Sequence, residues 1–229
     1  MFQNLTTGEL EIEDKLGGGG FQVFPSDIYK ATIQFAYGGQ STAGAMFVRI
    51  GFKLPSGELV QSIYVTNRNG ENFFTKNDKK FLLPGFSTIE AIAQMVAGKQ
   101  LADLKQVTKV VNDYNPEAKQ VENFEVPMLV ELLGGEILLG IQEVEEDKYK
   151  GEGTIKKNDI NAVFHPESKQ TLAEAMSDRE ATFHDKWLDA NKDKVRDNTK
   201  KSSKGGSVSS TTGTNAAGET RTKSLFNKK

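Results

Sequence analysis

From Asp27 onward apolar and polar residues alternate with a period of two, and this pattern restricts the fold more than any other feature of the chain. Tyr29, Ala31, Ile33, Phe35 and Tyr37 fall on one face of an extended strand, with Lys30, Thr32 and Gln34 on the other. A Gly-rich connection over 38–44 leads to a second alternation. It places Met46, Val48, Ile50 and Phe52 inward and Phe47, Arg49 and Lys53 outward. Pro55-Ser-Gly57 supplies a tight turn, and residues 59–66 read as a third strand, with Leu59, Ile63 and Val65 on the face opposite Tyr64. Three successive antiparallel strands make a curled meander, the beginning of a barrel or a sandwich.

One helix interrupts the strands. Ile89, Ile92, Ala93 and Val96 form an apolar stripe, Ser87 or Thr88 is expected to cap its first turn, and Gly98 suits its left-handed end. Residues 105–114 and 136–144 read as further strands, whereas 126–133 fits either a strand or a short helix. A single helix among antiparallel strands is the pattern of an OB-like barrel. Segments 171–176 and 181–191 read as helices, and Phe183, Trp187 and Leu188 are expected to dock the second onto the barrel. The fold class is thus mainly β: an OB-like antiparallel barrel with one inserted helix, C-terminal helices and a basic tail. The domain spans 21–196. Ahead of it, 1–20 ends in Gly17-Gly-Gly-Gly20 and reads as flexible. Behind it, the Ser/Thr/Gly/Lys-rich stretch 197–229 buries too little apolar surface to offset ordering entropy and reads as disordered.

Composition narrows the function. There is no cysteine among the 229 residues, which excludes disulfides and thiolate metal sites and suits a reducing compartment such as a cytoplasm. No run approaches the roughly 18 apolar residues of a membrane helix, so no membrane partner is expected. The tail 197–229 carries seven basic residues against two acids, leaving 22 basic and 29 acidic residues in the body. An acidic body argues against indiscriminate duplex binding, because phosphate attraction rests on clustered Lys and Arg. The two histidines, His165 and His184, have no ligand spacing. The glycine run lacks the Lys-Ser/Thr of a phosphate loop, and no nucleophile elbow is present. A non-enzymatic protein without cofactor or metal is the expectation.

One constellation points to a ligand. Phe73-Phe-Thr-Lys-Asn-Asp-Lys-Lys-Phe81 interleaves Phe73, Phe74 and Phe81 with Lys76, Lys79 and Lys80, and Arg68 lies just upstream. Single strands are held by bases stacking on aromatic faces, about 1–3 kcal/mol per base, and by cations along the phosphates. Phe47, Arg49 and Tyr64, on strand faces opposite the core rows, extend the candidate surface. The competing reading makes the three phenylalanines core residues of a hairpin with lysines on its wet face.

Several blocks carry a family resemblance. They are Tyr64-Val-Thr-Asn-Arg-Asn-Gly-Glu-Asn-Phe73, Lys79-Lys-Phe-Leu-Leu-Pro-Gly-Phe86, Thr88-Ile-Glu-Ala-Ile92 and Ala97-Gly-Lys-Gln-Leu-Ala-Asp-Leu104. Further along stand Val126-Pro-Met-Leu-Val-Glu-Leu132, Val163-Phe-His-Pro166, Phe183, Lys186-Trp-Leu188 and Asn191-Lys-Asp-Lys-Val-Arg-Asp197. From about Phe21 to the tail, the chain resembles single-stranded DNA-binding proteins of lytic tailed bacteriophages that carry a giant virion RNA polymerase. The resemblance implies an OB-like fold, sequence-tolerant binding of single-stranded DNA, and work in phage replication and recombination within the host cytoplasm. It also implies partners: phage replication proteins and, through the C-terminus, host RNA polymerase in late transcription. Many single-strand-binding proteins end in an acidic tail. Here the end is Lys223-Ser-Leu-Phe-Asn-Lys-Lys229, so Leu225 and Phe226 form an apolar anchor flanked by Lys223, Lys228 and Lys229. The alternative function is a virion structural or assembly protein whose basic tail contacts packaged DNA.

Overall fold

The computed structural model describes residues 23–115, 118, 120–149 and 151–199. The expected flexible segment 1–20 and the tail beyond residue 199 lie outside the described residues. Three strands open the fold as the alternation predicts: β1 (Asp27–Gln40), β2 (Met46–Leu54) and β3 (Gly57–Tyr64), paired in antiparallel order. Next come a small hairpin, β4 (Phe73–Lys76) with β5 (Lys79–Leu82), and helix α1 (Pro84–Ala97). A long hairpin, β6 (Gln106–Asn115) with β7 (Gln120–Leu129), precedes β8 (Glu136–Asp147) and β9 (Thr154–Phe164). Short helices α2 (Leu172–Met176) and α3 (Phe183–Asn191) lead to β10 (Val195–Asp197), which pairs in parallel with β8. The molecule is therefore mainly β, and no helix among the described residues is long and apolar enough to cross a membrane. The segment 126–133, open between two readings, is both: the end of β7 and then a 3-10 turn over Val130–Leu132.

β1 organises the sheet because its two halves have different neighbours. Residues 27–32 pair with β8, whereas Tyr37 pairs with Met128 of β7. The change follows a β-bulge between Ile33 and Phe35, where one extra residue reverses the alternation. Ala31 and Ile33 point into the main core. Phe35 and Tyr37 turn to the other face and join Phe124, Val126 and Met128 in a second apolar cluster, while Ala36 takes the core position. The expectation that Phe35 and Tyr37 share a face with Ala31 and Ile33 is corrected by that bulge. Val48, Ile50 and Phe52 are buried as expected, but Met46 is exposed at the strand's start.

The curled sheet does not close into a barrel: no ladder joins β3 to β9 among the described residues. Two devices bridge the seam instead. Gln61 Nε2 donates to the Asn158 carbonyl at 2.6 Å, and the Asn158 side chain exchanges two hydrogen bonds with the Phe24 backbone. α1 packs against β3, β8 and β9, sealing Ile89, Ile92 and Ala93 into the main core with Ile137, Leu139 and Ile141. The helix begins one turn earlier than its expected caps. Leu83 precedes it, Pro84 occupies the first turn, where its missing N–H costs nothing, and Thr88 Oγ1 donates back to the Pro84 carbonyl. Gly98 adopts the left-handed conformation expected of it.

On the far side, Trp187 of α3 lies across Gly140, where an added Cβ would stand 2.9 Å from the indole; only glycine permits that approach. Its Nε1 donates to Asn161 Oδ1 at 2.8 Å. Trp187 is buried and Leu188 half-buried, as expected, and Phe183, 45% exposed, meets the buried Phe164 ring at 6.1 Å from the edge of the docking face. His184 is buried as well, edge-on to Phe164. The sheet runs one residue past the expected domain end, since Asp197 belongs to β10 and Asn198 N–H donates to the Glu145 carbonyl.

Candidate nucleic-acid interface

Two patches present aromatic and cationic side chains, one on the sheet and one on the small hairpin. The sheet patch is a groove of about 610 Å³. Its floor is the outward face of β2 and β3, where Phe47 and Tyr64 are cross-strand partners with rings edge-on at 5.7 Å. The end of the Phe47 ring lies over Gly39, where a Cβ would meet it at 2.4 Å, so the glycine of β1 is what lets the phenyl settle onto the sheet. The wall is the β6–β7 hairpin, which contributes Tyr114, Phe124, Val126 and Pro127. Tyr64 is exposed, and Phe47 half-buried.

Arg49 is the one cation lining this groove among the described residues, and Glu125 the one acid. Arg49 is already engaged. Its Nε and a terminal nitrogen donate to the two carboxylate oxygens of Asp113 at 2.5 and 2.8 Å. Tyr37 Oη donates to the same carboxylate at 2.9 Å, and so does the Tyr114 N–H at 2.7 Å. The hydrogen bonds from Arg49 hold the Asp113 carboxyl below the usual carboxylate range, and the same pairing raises Arg49. Burial, and then its hydrogen bond to Asp113, push the Tyr37 phenol up.

The second patch is the β4–β5 hairpin. Its two-residue loop, Asn77 and Asp78, has both residues at positive φ, the conformation that matches strand twist and that Asn and Asp tolerate. The register sets Phe74 opposite Phe81 and Lys76 opposite Lys79. Because side chains alternate along a strand, these four share one face. The two rings stack with centroids 5.6 Å apart and planes 25° from parallel, and remain 43% and 38% exposed. The opposite face carries Phe73, half-buried, with Lys80 Nζ 4.2 Å from its ring centroid. The cation thus covers Phe73, while Phe74 and Phe81 offer open ring surface. The hairpin leaves β3 just beyond Tyr64, and Gly85, after it, abuts the Tyr64 carbonyl.

Arg68 stands exposed in the turn 67–70, which Asn67 Oδ1 organises by accepting the N–H groups of Asn69 and Glu71. The tail residues Lys223, Leu225, Phe226, Lys228 and Lys229 lie outside the described residues. The sequence reading missed Tyr37, Asp113, Tyr114 and Phe124. Tyr37 is on this face because of the bulge. The other three are there because β6 and β7 fold back over the sheet. The Asn115-Pro116 dipeptide in the sequence was the available signal for that hairpin. Among the described residues no group of His, Asp and Glu could hold a metal. His165 Nδ1 faces the N–H groups of Glu167 and Ser168, and His184 Nδ1 lies 2.8 Å from Asp185. In comparisons with known proteins, no family model matches the chain and no curated protein matches its sequence.

Proposed function

We propose that this protein binds single-stranded DNA in a sequence-tolerant way, on an OB-like scaffold, without catalysis. The observation that carries the reading is the hairpin face on which the exposed, stacked Phe74–Phe81 pair stands beside Lys76 and Lys79. A stacked ring pair with more than a third of its surface open to water offers apolar area, and every base has a π-face to lay on it. Lysines at the same edge meet the phosphates. The groove beneath Tyr64 continues the same chemistry, with Phe47, Tyr114 and Phe124 as further ring surfaces. None of these contacts reads a base edge, so sequence tolerance follows.

The scaffold reading rests on the bulged, shared strand β1, the helix α1 inserted between strands, and the approach of β9 to β3 through Gln61 and Asn158. Together with the family resemblance, this supports a place in phage replication and recombination in the host cytoplasm. On this reading Lys223–Lys229 recruits replication proteins or host RNA polymerase. The test is a fluorescence titration with oligo(dT), oligo(dA) and a duplex of equal length at several salt concentrations. The reading expects similar affinity for the two single strands, weaker duplex binding and a negative log–log salt slope. No binding to either single strand, or equal binding to duplex, would refute it. Recovery as a stoichiometric part of purified virions, without oligonucleotide binding, would favour the structural role. Truncation after Thr222 should leave single-strand affinity nearly intact and abolish partner pull-down; the opposite pattern would make the tail a plain electrostatic arm.

A further inference from the structure

We infer that Arg49 is the phosphate-binding residue of the groove and that Asp113, which pairs with its guanidinium, is an internal competitor that a nucleic-acid phosphate must displace. The inference rests on the single-strand reading and concerns how that site is controlled.

Four donors converge on Asp113: two from Arg49, the Tyr37 hydroxyl and the Tyr114 N–H. Such convergence is what an anion site looks like, and a guanidinium fork accepts carboxylate and phosphate with the same geometry. The donors divide between two bodies. Arg49 and Tyr37 belong to β2 and β1 of the sheet, whereas Tyr114 belongs, with the accepting Asp113, to the β6–β7 arm. Arg49 also donates to Ser62 Oγ at 3.3 Å, a contact on β3 that keeps it aimed into the groove without Asp113. Among the described residues the arm's one ladder to β1 is the Tyr37–Met128 pair, and its apolar anchor ends near Val111 and Phe124. Outward of that anchor, Tyr114 and Val121 stand exposed. Asp113 is thus the arm's polar tie to the groove floor.

As built, the groove is a poor anion trap. Arg49 is neutralised by Asp113, and Glu125 adds an unfavourable charge. A phosphate gains Arg49 only by exchanging with Asp113, so the ion pair sets a threshold that weak or isolated anions do not cross. Stacking on Phe47 and Tyr64 beside it supplies the affinity to cross that threshold, which ties phosphate capture to the presence of bases.

The experiment is a double-mutant cycle on the full chain, titrated with oligo(dT) over a salt series. Asp113→Asn keeps the shape and removes the competing charge. It should bind about 3- to 30-fold more tightly, the range of a partly buried ion pair, with a salt slope steeper by about 0.7, one phosphate contact on a single strand. Arg49→Gln added to Asp113→Asn should abolish that gain. In the wild type, hydrogen exchange at the Tyr114 amide should speed up when oligo(dT) binds, a readout that needs no variant to fold. Wild-type binding with an unchanged or weaker Asp113→Asn titration and a parallel salt plot would overturn the exchange while leaving the single-strand reading standing. So would slower exchange at Tyr114 on binding. Absence of wild-type binding would overturn both.

Discussion

Removing the ring pair of the β4–β5 hairpin tests the interface most directly. In Phe74→Ala/Phe81→Ala the structural cost is small. Truncating a fully buried phenylalanine costs about 3–5 kcal/mol because a cavity remains. These rings are 43% and 38% exposed and belong to none of the buried apolar clusters. What they lose is mainly their own cross-strand contact, about 0.5–1.5 kcal/mol. That loss falls on a hairpin whose eight strand residues form a separate two-stranded sheet, with no ladder to the main sheet among the described residues. The global melting temperature should therefore move little. If one base stacks on the outer face of the pair, losing it costs about 1–3 kcal/mol, or roughly a 5- to 150-fold weaker Kd. The assay is an oligo(dT) titration at fixed salt, with thermal unfolding on the same samples. Unchanged affinity in a folded variant would refute the stacking role. A fall of ten degrees or more would mean that the pair holds the domain together. Phe73→Ala separates the faces of the hairpin, since its ring lies under Lys80; it should weaken binding less than Phe74→Ala.

Replacing Lys76 and Lys79 with Ala should flatten the salt slope by about 0.7 per lost phosphate contact, whereas a parallel log–log plot would mean that they touch no phosphate. Gly39→Ala should lift Phe47 off the sheet, because the new Cβ would overlap its ring. It should weaken single-strand binding more than it lowers the melting temperature, as paired titration and calorimetry would show. Glu174 accepts the N–H groups of Thr171, Thr182 and Phe183, joining α2 to the start of α3. Glu174→Gln should cost about 1.5–3 kcal/mol, the range of hydrogen bonds to a charged group. Burial opposes its ionisation, but those donors win and hold the carboxyl below its ordinary range. Its contribution is then complete above the unfolded value of about 4.3 and lost as pH falls through the lower folded value. Denaturant unfolding from pH 6 to pH 3 should show a gap between wild type and Glu174→Gln that closes at the acid end.

Much of the fold was open to reading in one dimension because strand alternation and helical stripes are local. In an unbroken strand Val48, Ile50 and Phe52 share a face, as Ile89, Ile92 and Ala93 do on a helix. The Phe/Lys segment was legible for the same reason: composition brought rings and cations within ten residues. What no local rule could supply was which ring stays open. That depended on a register pairing Phe74 with Phe81 and on a lysine diagonal to Phe73. The bulge after Ile33 is a one-residue slip that turns Phe35 and Tyr37 onto the other face, and nothing in their side chains signals it. Asp113 lies 64 residues from Arg49, in a polar hairpin with no pattern to mark it. Its pairing with Arg49 exists only because β6 and β7 fold back across the sheet. Residue types and periods decide which faces are apolar; long-range pairing decides which of the remaining polar and aromatic groups meet, and here that meeting makes the groove.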